Sequence, residues 1–166
     1  MVDGAHAVDS GRWTVDVQMG TLSKALGSYG GYVCGSKTLI DYLQTTARSA
    51  IYSTGLPPAS VAAASKALDI LMADAELAAR PLVRAQQFTS LMGLPEAQSA
   101  IVPLIIGESK DALAAAEKLA ETGFFAAAIR PPTVPENTAR LRFAFSALHS
   151  EEQVARLAEC VKEIMP

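Results

Sequence analysis

Cysteine is nearly absent. Cys34 and Cys160 are the only two in 166 residues. They form no Cys-x-x-Cys pair and no Cys/His set, which excludes a disulfide scaffold and a cysteine-ligated zinc. Long apolar runs are also missing. Hydrophobic residues make up 50% of the chain, yet no unbroken stretch approaches the ~18 residues of a membrane span. No membrane partner is expected. Charge is sparse, at 19% of residues with a net of −3, so the basic footprint of a nucleic-acid binder is lacking. The first residues, Met-Val-Asp-Gly-Ala-His, hold neither a charged nor an apolar leader region, and a cytoplasmic location is the expectation. What remains is rich in Ala and Val, with a mean hydropathy of +0.22. That composition excludes disorder. An apolar excess without a membrane run points to a buried subunit or domain interface.

Along the chain, Val15 to Met19 reads as a short strand ending at Gly20, and Thr21 to Gly27 as a polar loop. Gly30 to Gly35 reads as a buried strand between glycines. Ser36 is a candidate N-cap for a helix over about 37–48. Ile51 to Pro58 reads as a short strand and a turn. An Ala-rich helical region follows over about 58–92, with a bend expected near Pro81. The texture changes after Gly93-Leu94-Pro95. Ala100 to Ile106 is a strand, 109–122 an amphipathic helix stopped at Gly123, and Phe124 to Ile129 a second strand. Arg130 to Pro135 is a stiff loop, and Ala139 to Ala147 alternates as a third strand. Ser150-Glu151-Glu152-Gln153 has capping-box form at the start of the last helix. The second half is therefore a β-α-β-β-α unit, and the expected division is 1–92 and 93–166.

Three clusters could carry chemistry. Thr21-x-Ser23-Lys24 follows a strand end between glycines. A lysine there is placed to be desolvated, which frees its amine as a nucleophile, and the hydroxyls and backbone N–H groups suit a phosphate. A solvated loop lysine is the plainer reading, and the residues alone leave both open. Asp3-x-Ala5-His6 puts an acid and an imidazole where both can enter one crevice, or where both simply fray. Ser53-Thr54-Gly55 suits a phosphate or a turn. On the third strand of the second half, Arg140 and Arg142 share a face by the period of two. One of them should be partly buried and need an anion, either a bound carboxylate or an internal Glu or Asp. His149 is expected in the first turn of the last helix. No metal site is expected.

In order, Asp-x-Ala-His, Gly-Thr-Leu-Ser-Lys-Ala-Leu-Gly, Gly-Gly-Tyr, Tyr-Ser-Thr-Gly-Leu-Pro-Pro, Arg-Pro-Pro-Thr-Val-Pro and Ala-Arg-Leu-Arg cover essentially the whole chain. This ordered set resembles the C-terminal part of the α-oxoamine synthases, pyridoxal-phosphate enzymes of fold type I. Ala128 to Pro135 resembles the biotin-pathway branch of that family. The resemblance implies an α/β fold made of a partial large-domain sheet and an α/β small domain. It implies that Lys24 is the Schiff-base lysine and that Asp3 pairs with the pyridinium nitrogen. His6 would meet the phenolic oxygen, and Thr21 and Thr54 the phosphate, Thr54 from a neighbouring subunit. Arg142 would hold the amino-acid carboxylate, and Thr133 with Arg130 would line the acyl region.

The implied reaction is a decarboxylating condensation of alanine with a pimeloyl thioester of coenzyme A or a carrier protein, in a homodimer. Family chains are a little over twice as long, so an N-terminal half is expected elsewhere, and the segment between His6 and Val15 is shorter than the family pattern. Two other readings stay open: a non-catalytic remnant that serves as an interaction module, and one half of a split enzyme.

Overall fold

The structure, a computed structural model, describes residues 1–5 and 15–165. His6 therefore lies outside the described residues. The chain divides into two compact units, Met1–Ala78 and Ala79–Pro166. The division falls inside a helix, upstream of the expected 92/93. No helix among the described residues is long and apolar enough to cross a membrane.

The first unit holds a three-stranded sheet of β1 (Val2–Asp3), β2 (Val17–Thr21) and β3 (Gly31–Gly35), in the order β1-β2-β3. β1 runs parallel to β2 with Asp3 opposite Met19, and β3 is antiparallel to β2 with Tyr32 opposite Gly20. β3 was expected to be buried, and it is not: Val33 is 48% exposed. A short apolar strand is covered only when layers lie on both faces of its sheet. Here β3 is an edge strand of a small sheet.

Helix α1 (Lys37–Thr46) starts where expected, because the Ser36 side chain accepts a hydrogen bond from the Leu39 N–H at 3.3 Å. Residues 51–58 do not form the expected strand. The single turn α2 (Arg48–Ile51) runs directly into a loop before α3 (Pro58–Ala73), which begins with proline at its first position. Proline lacks only an N–H that the first helical turn leaves unpaired anyway.

The long helical region is not one helix. It breaks at Asp74, between α3 and α4 (Ala75–Met92), with Pro81 inside α4. Asp74 Oδ1 accepts from the N–H groups of Glu76 and Leu77, both at 3.1 Å. An aspartate that caps the amides ahead of it starts a new helix there and competes with continuation of the old one.

The second unit has a two-layer plan. β4 (Ile101–Gly107), β5 (Ala127–Ile129) and β6 (Ala139–Ala144) form an antiparallel sheet in the order β4-β6-β5. Helices α5 (Ser109–Glu121) and α6 (Glu151–Ile164) belong to the same unit. The expected β-α-β-β-α order is present, with shorter β5 and β6 than the sequence suggested. α6 buries Val154, Leu157, Ala158 and Val161, the one-sided stripe of an amphipathic helix. β6 buries Ala139, Leu141 and Phe143 and turns Arg140, Arg142 and Ala144 to the other face, as the pleat requires.

α4 joins this core through Ala85 and Phe88, both 0% exposed. Phe88 packs against Phe143 and Phe145 at ring-centroid distances of 4.9 and 5.4 Å. Both helix ends read from sequence are in place. Ser150 and Gln153 make the reciprocal capping box. At the end of α5, Phe124 N–H bonds Leu119 O and Gly123 N–H bonds Ala120 O. That is the Schellman pair, and it needs the left-handed φ of +89° at Gly123.

Candidate functional site

β1 and β2 are neighbouring parallel strands, so their carboxyl ends lie side by side. Ligands of α/β sheets gather outside such strand ends. Asp3 is the last residue of β1 and Thr21 the last of β2. Ala5 ties the two ends together. Its N–H donates to Asp3 Oδ1 at 2.9 Å, and its carbonyl accepts from Thr21 Oγ1 at 3.4 Å. The fold thus brings an exposed carboxylate and a hydroxyl together at one sheet edge, with the Lys24 loop leaving from the same end of β2.

Lys24 is exposed rather than desolvated. The loop that carries it closes on its own backbone, with Leu22 N–H to Gly30 O at 2.9 Å and Ser28 N–H to Leu22 O at 2.8 Å. Lys37 differs: its ammonium pairs with Asp41 at 2.6 Å on the surface of α1.

Thr54 lies in the exposed loop between α2 and α3, and Ser53 Oγ donates back to Ser49 O. This loop belongs to the same unit as Asp3, Thr21 and Lys24.

Arg130, Thr133 and Arg142 belong to the second unit. Arg130 and Thr133 form one turn, Thr133 N–H donating to Arg130 O at 3.0 Å, and both are exposed. Of the two β6 arginines, Arg140 is the half-buried one, and among the described residues its fork is met by Thr138 rather than by a carboxylate. Its Nε donates to Thr138 O at 2.9 Å and a terminal nitrogen to Thr138 Oγ1 at 3.0 Å. A carbonyl and a hydroxyl two residues away satisfy the fork locally. Arg142 is exposed on the same face.

His149 sits just before the Ser150 cap rather than in the first turn. Its Nδ1 accepts from Ser146 N–H at 3.2 Å, and its ring meets Phe145 edge-on. A cavity of about 330 Å³ in this unit is lined by Phe124, Phe125, Phe143, Phe145, His149 and Gln153 among others, and by none of the predicted site residues.

Two contributors escaped the sequence reading. The Tyr32 ring crosses Gly20, at a distance where a Cβ on Gly20 would collide with it. Ser28 Oγ donates to Ser60 O at 2.6 Å. Tyr32 has a faint sequence signal, an aromatic in the strand that follows the one holding Gly20. Ser28 has none, because its partner lies 32 residues away.

A model of the class I and II aminotransferases matches residues 2–161. The chain is 58% identical over 151 residues to an 8-amino-7-oxononanoate synthase of Methylocella silvestris, covering 91% of this chain and 43% of that protein. It is 56% identical over 169 residues to the enzyme of the same name from Methylorubrum extorquens, covering 100% of this chain and 44% of that one. The chain thus spans less than half the length of these relatives. Among solved structures, Sphingomonas wittichii serine palmitoyltransferase matches with a TM-score of 0.83 at 28% identity, over 90% of this chain and 39% of that one. Francisella tularensis 8-amino-7-oxononanoate synthase matches with a TM-score of 0.75 at 26% identity, over 89% and 44%. The ordered motifs, the α/β fold and a family match along nearly the whole sequence agree, and the chain belongs to the class I and II aminotransferase family.

Proposed function

We propose that this chain carries the lysine half of a pyridoxal-phosphate site and the small domain of an enzyme that condenses an amino acid with an acyl thioester. The single observation that carries the reading is the placement of Asp3, Thr21 and the Lys24 loop at the carboxyl ends of two adjacent parallel strands. The donor set fits the cofactor. An amine suits its aldehyde, a carboxylate suits a protonated ring nitrogen, and the Thr21 and Thr54 hydroxyls suit its phosphate. His6 joins them on sequence grounds alone. Bound there, pyridoxal phosphate supplies an electron sink for negative charge at the substrate Cα. Lys24 would hold the cofactor through its amine and, as the free amine, would take the substrate Cα proton. Asp3 would pair with the ring nitrogen and keep it protonated. Arg142 fixes the amino-acid carboxylate and so orients the Cα–H bond, and Arg130 with Thr133 meets the acyl substrate. Identity to relatives named 8-amino-7-oxononanoate synthase supports alanine and a pimeloyl thioester as the pair.

Titration of alanine into the cofactor-loaded chain tests this reading. Arg142→Ala should weaken alanine binding by about 0.2–1 kcal/mol, the range for an exposed charged pair, because Arg142 is exposed here. Arg142→Lys should not restore it, since a point charge lacks the two-pronged geometry. Unchanged affinity in Arg142→Ala would remove the carboxylate role.

Association with further polypeptide, a second copy or a complementary segment, is part of the same proposal. α3 buries only Ala64 while Val61, Leu68, Ile70 and Met72 stay 47–77% exposed. Apolar patches beyond a few hundred Å² are rare on monomers. Light scattering should find a dimer or larger species, and a stable monomer at high concentration would contradict this.

A further inference from the structure

The cavity of about 330 Å³ in the second unit carries chemistry that the proposed reaction does not use. Its walls are aromatic. Phe143 and Phe145, both buried, line it from β6 and just beyond, and Phe124 and Phe125 line it from the segment between α5 and β5. Phe125 lines the cavity and is also almost wholly exposed, so one wall stands in water until something covers it. The polar groups are all donors. His149 Nδ1 accepts from the Ser146 N–H, which leaves the ring proton on Nε2. Gln153 Oε1 accepts from the Ser150 N–H at 2.9 Å within the capping box, which leaves the side-chain NH2. Each of these two lining residues therefore has an N–H to give. Arg156 adds positive charge beside one wall. Its Cζ stands 5.3 Å from the centroid of the Phe124 ring, and a terminal nitrogen donates to Thr122 O at 3.0 Å, which holds the guanidinium there. No carboxylate is present among the described lining residues.

We propose that this cavity is a binding site for a small carboxylate with an aromatic body. The four phenyl rings offer faces and edges to a ligand ring, and aromatic pairs of that kind attract beyond the area they bury. The His149 and Gln153 N–H groups would take the carboxylate oxygens. Bonds from neutral donors to an ionised acceptor are among the stronger hydrogen bonds, and a carboxylate entering an apolar cavity needs them to replace water. A cationic ligand has no acceptor to meet on these two side chains. Size sets the other limit. Sites for small ligands begin near ~300 Å³, so this one suits a single ring with a short acidic arm and excludes a nucleotide or a long acyl chain. None of the residues proposed for the cofactor or the substrates lines the cavity, so this site stands or falls without Lys24.

The test uses the whole chain and phenylacetate as the probe. Amide NMR spectra followed through a titration give both a dissociation constant and a location. Saturable shifts should appear at the amides of Phe125, Ser146 and His149. Phenylacetamide, which has the same shape without the charge, should bind on the order of tenfold more weakly. Gln153→Glu keeps an oxygen for the Ser150 N–H, as capping boxes commonly do, but replaces the donor with a like charge; it should weaken phenylacetate on the order of tenfold. Phe125→Ala removes the exposed wall and should weaken it about threefold to tenfold. The dispersion of each variant's spectrum shows that it is folded. Absence of saturable shifts at these amides overturns the site, and so does an unchanged dissociation constant in both variants. Equal affinity for phenylacetate and phenylacetamide overturns the carboxylate class. Shifts of the same amides that follow chain concentration without ligand would give the cavity to a second copy of the chain and overturn the proposal as well.

Discussion

Lys24→Ala should abolish the visible band that pyridoxal phosphate gives with this chain, together with the borohydride-fixed label, and Lys37→Ala should leave both in place. The expected effect is complete loss because the bond in question is covalent to one amine. Lys37 is a fair control, being equally a surface lysine. Its ammonium is engaged by Asp41 one helical turn away at 2.6 Å, in a pair worth a few tenths of a kcal/mol, with no strand end beside it. Lys24 leaves the end of β2 beside the Thr21 hydroxyl and the Asp3 carboxylate of the adjoining parallel strand. On the proposed reading, an aldehyde bound at Lys24 would have a hydroxyl and a carboxylate beside it for its phosphate and ring nitrogen; one bound at Lys37 would not. Absorbance titration and mapping of the reduced peptide read the difference. A band that survived in Lys24→Ala would move the site elsewhere and detach Asp3 and Thr21 from the cofactor.

Phe88→Ala should be the most damaging single substitution for the second unit, costing about 3–5 kcal/mol, the range for deleting a fully buried phenyl ring. Phe88 has no exposed surface and lies against Phe143 of β6 and Phe145 just beyond it. Its loss leaves a cavity where a helix meets the middle strand of the sheet. Domains of this size are stable by only about 5–15 kcal/mol, so the urea midpoint should fall steeply. Phe125→Ala is the matched control. Phe125 is 94% exposed, and its removal should change stability by no more than about 0.5 kcal/mol. Equal effects from the two would mean that α4 does not pack on this sheet.

The Phe88 result bears on how much of the fold could be read in advance. A helix over this stretch is legible in the sequence, but the core it joins is not: the expected division at 92/93 sets the helix with the first unit, whereas its Ala85 and Phe88 lie in the core of the second. The break at Asp74 has the same lesson. Pro81 is the louder residue, yet α4 continues through it, and the helix boundary falls where Asp74 Oδ1 bonds the two amides ahead of it. At the candidate site, Lys24, Thr21, Asp3 and Thr54 were legible because each sits in a distinctive local run. Ser28 was not, because its partner Ser60 lies 32 residues away in α3.

What the sequence determined by itself is therefore what is settled within a few residues of chain. The capping box of Ser150 and Gln153, the Gly123 stop, the Ser36 cap and the opposite faces of Arg142 and Phe143 all follow from hydrogen bonds or side-chain directions set by near neighbours. Tertiary structure alone decided burial and adjacency. It left β3 exposed at a sheet edge despite its apolar run, and among the described residues it met the Arg140 fork with Thr138 rather than with a carboxylate. It set Asp3 beside Thr21 by pairing β1 with β2 and bonded Ser28 of the lysine loop to Ser60 of α3. Those outcomes depend on contacts between residues far apart in the chain, whose energies come from desolvation and close packing, and no local pattern encodes which distant surface will supply them.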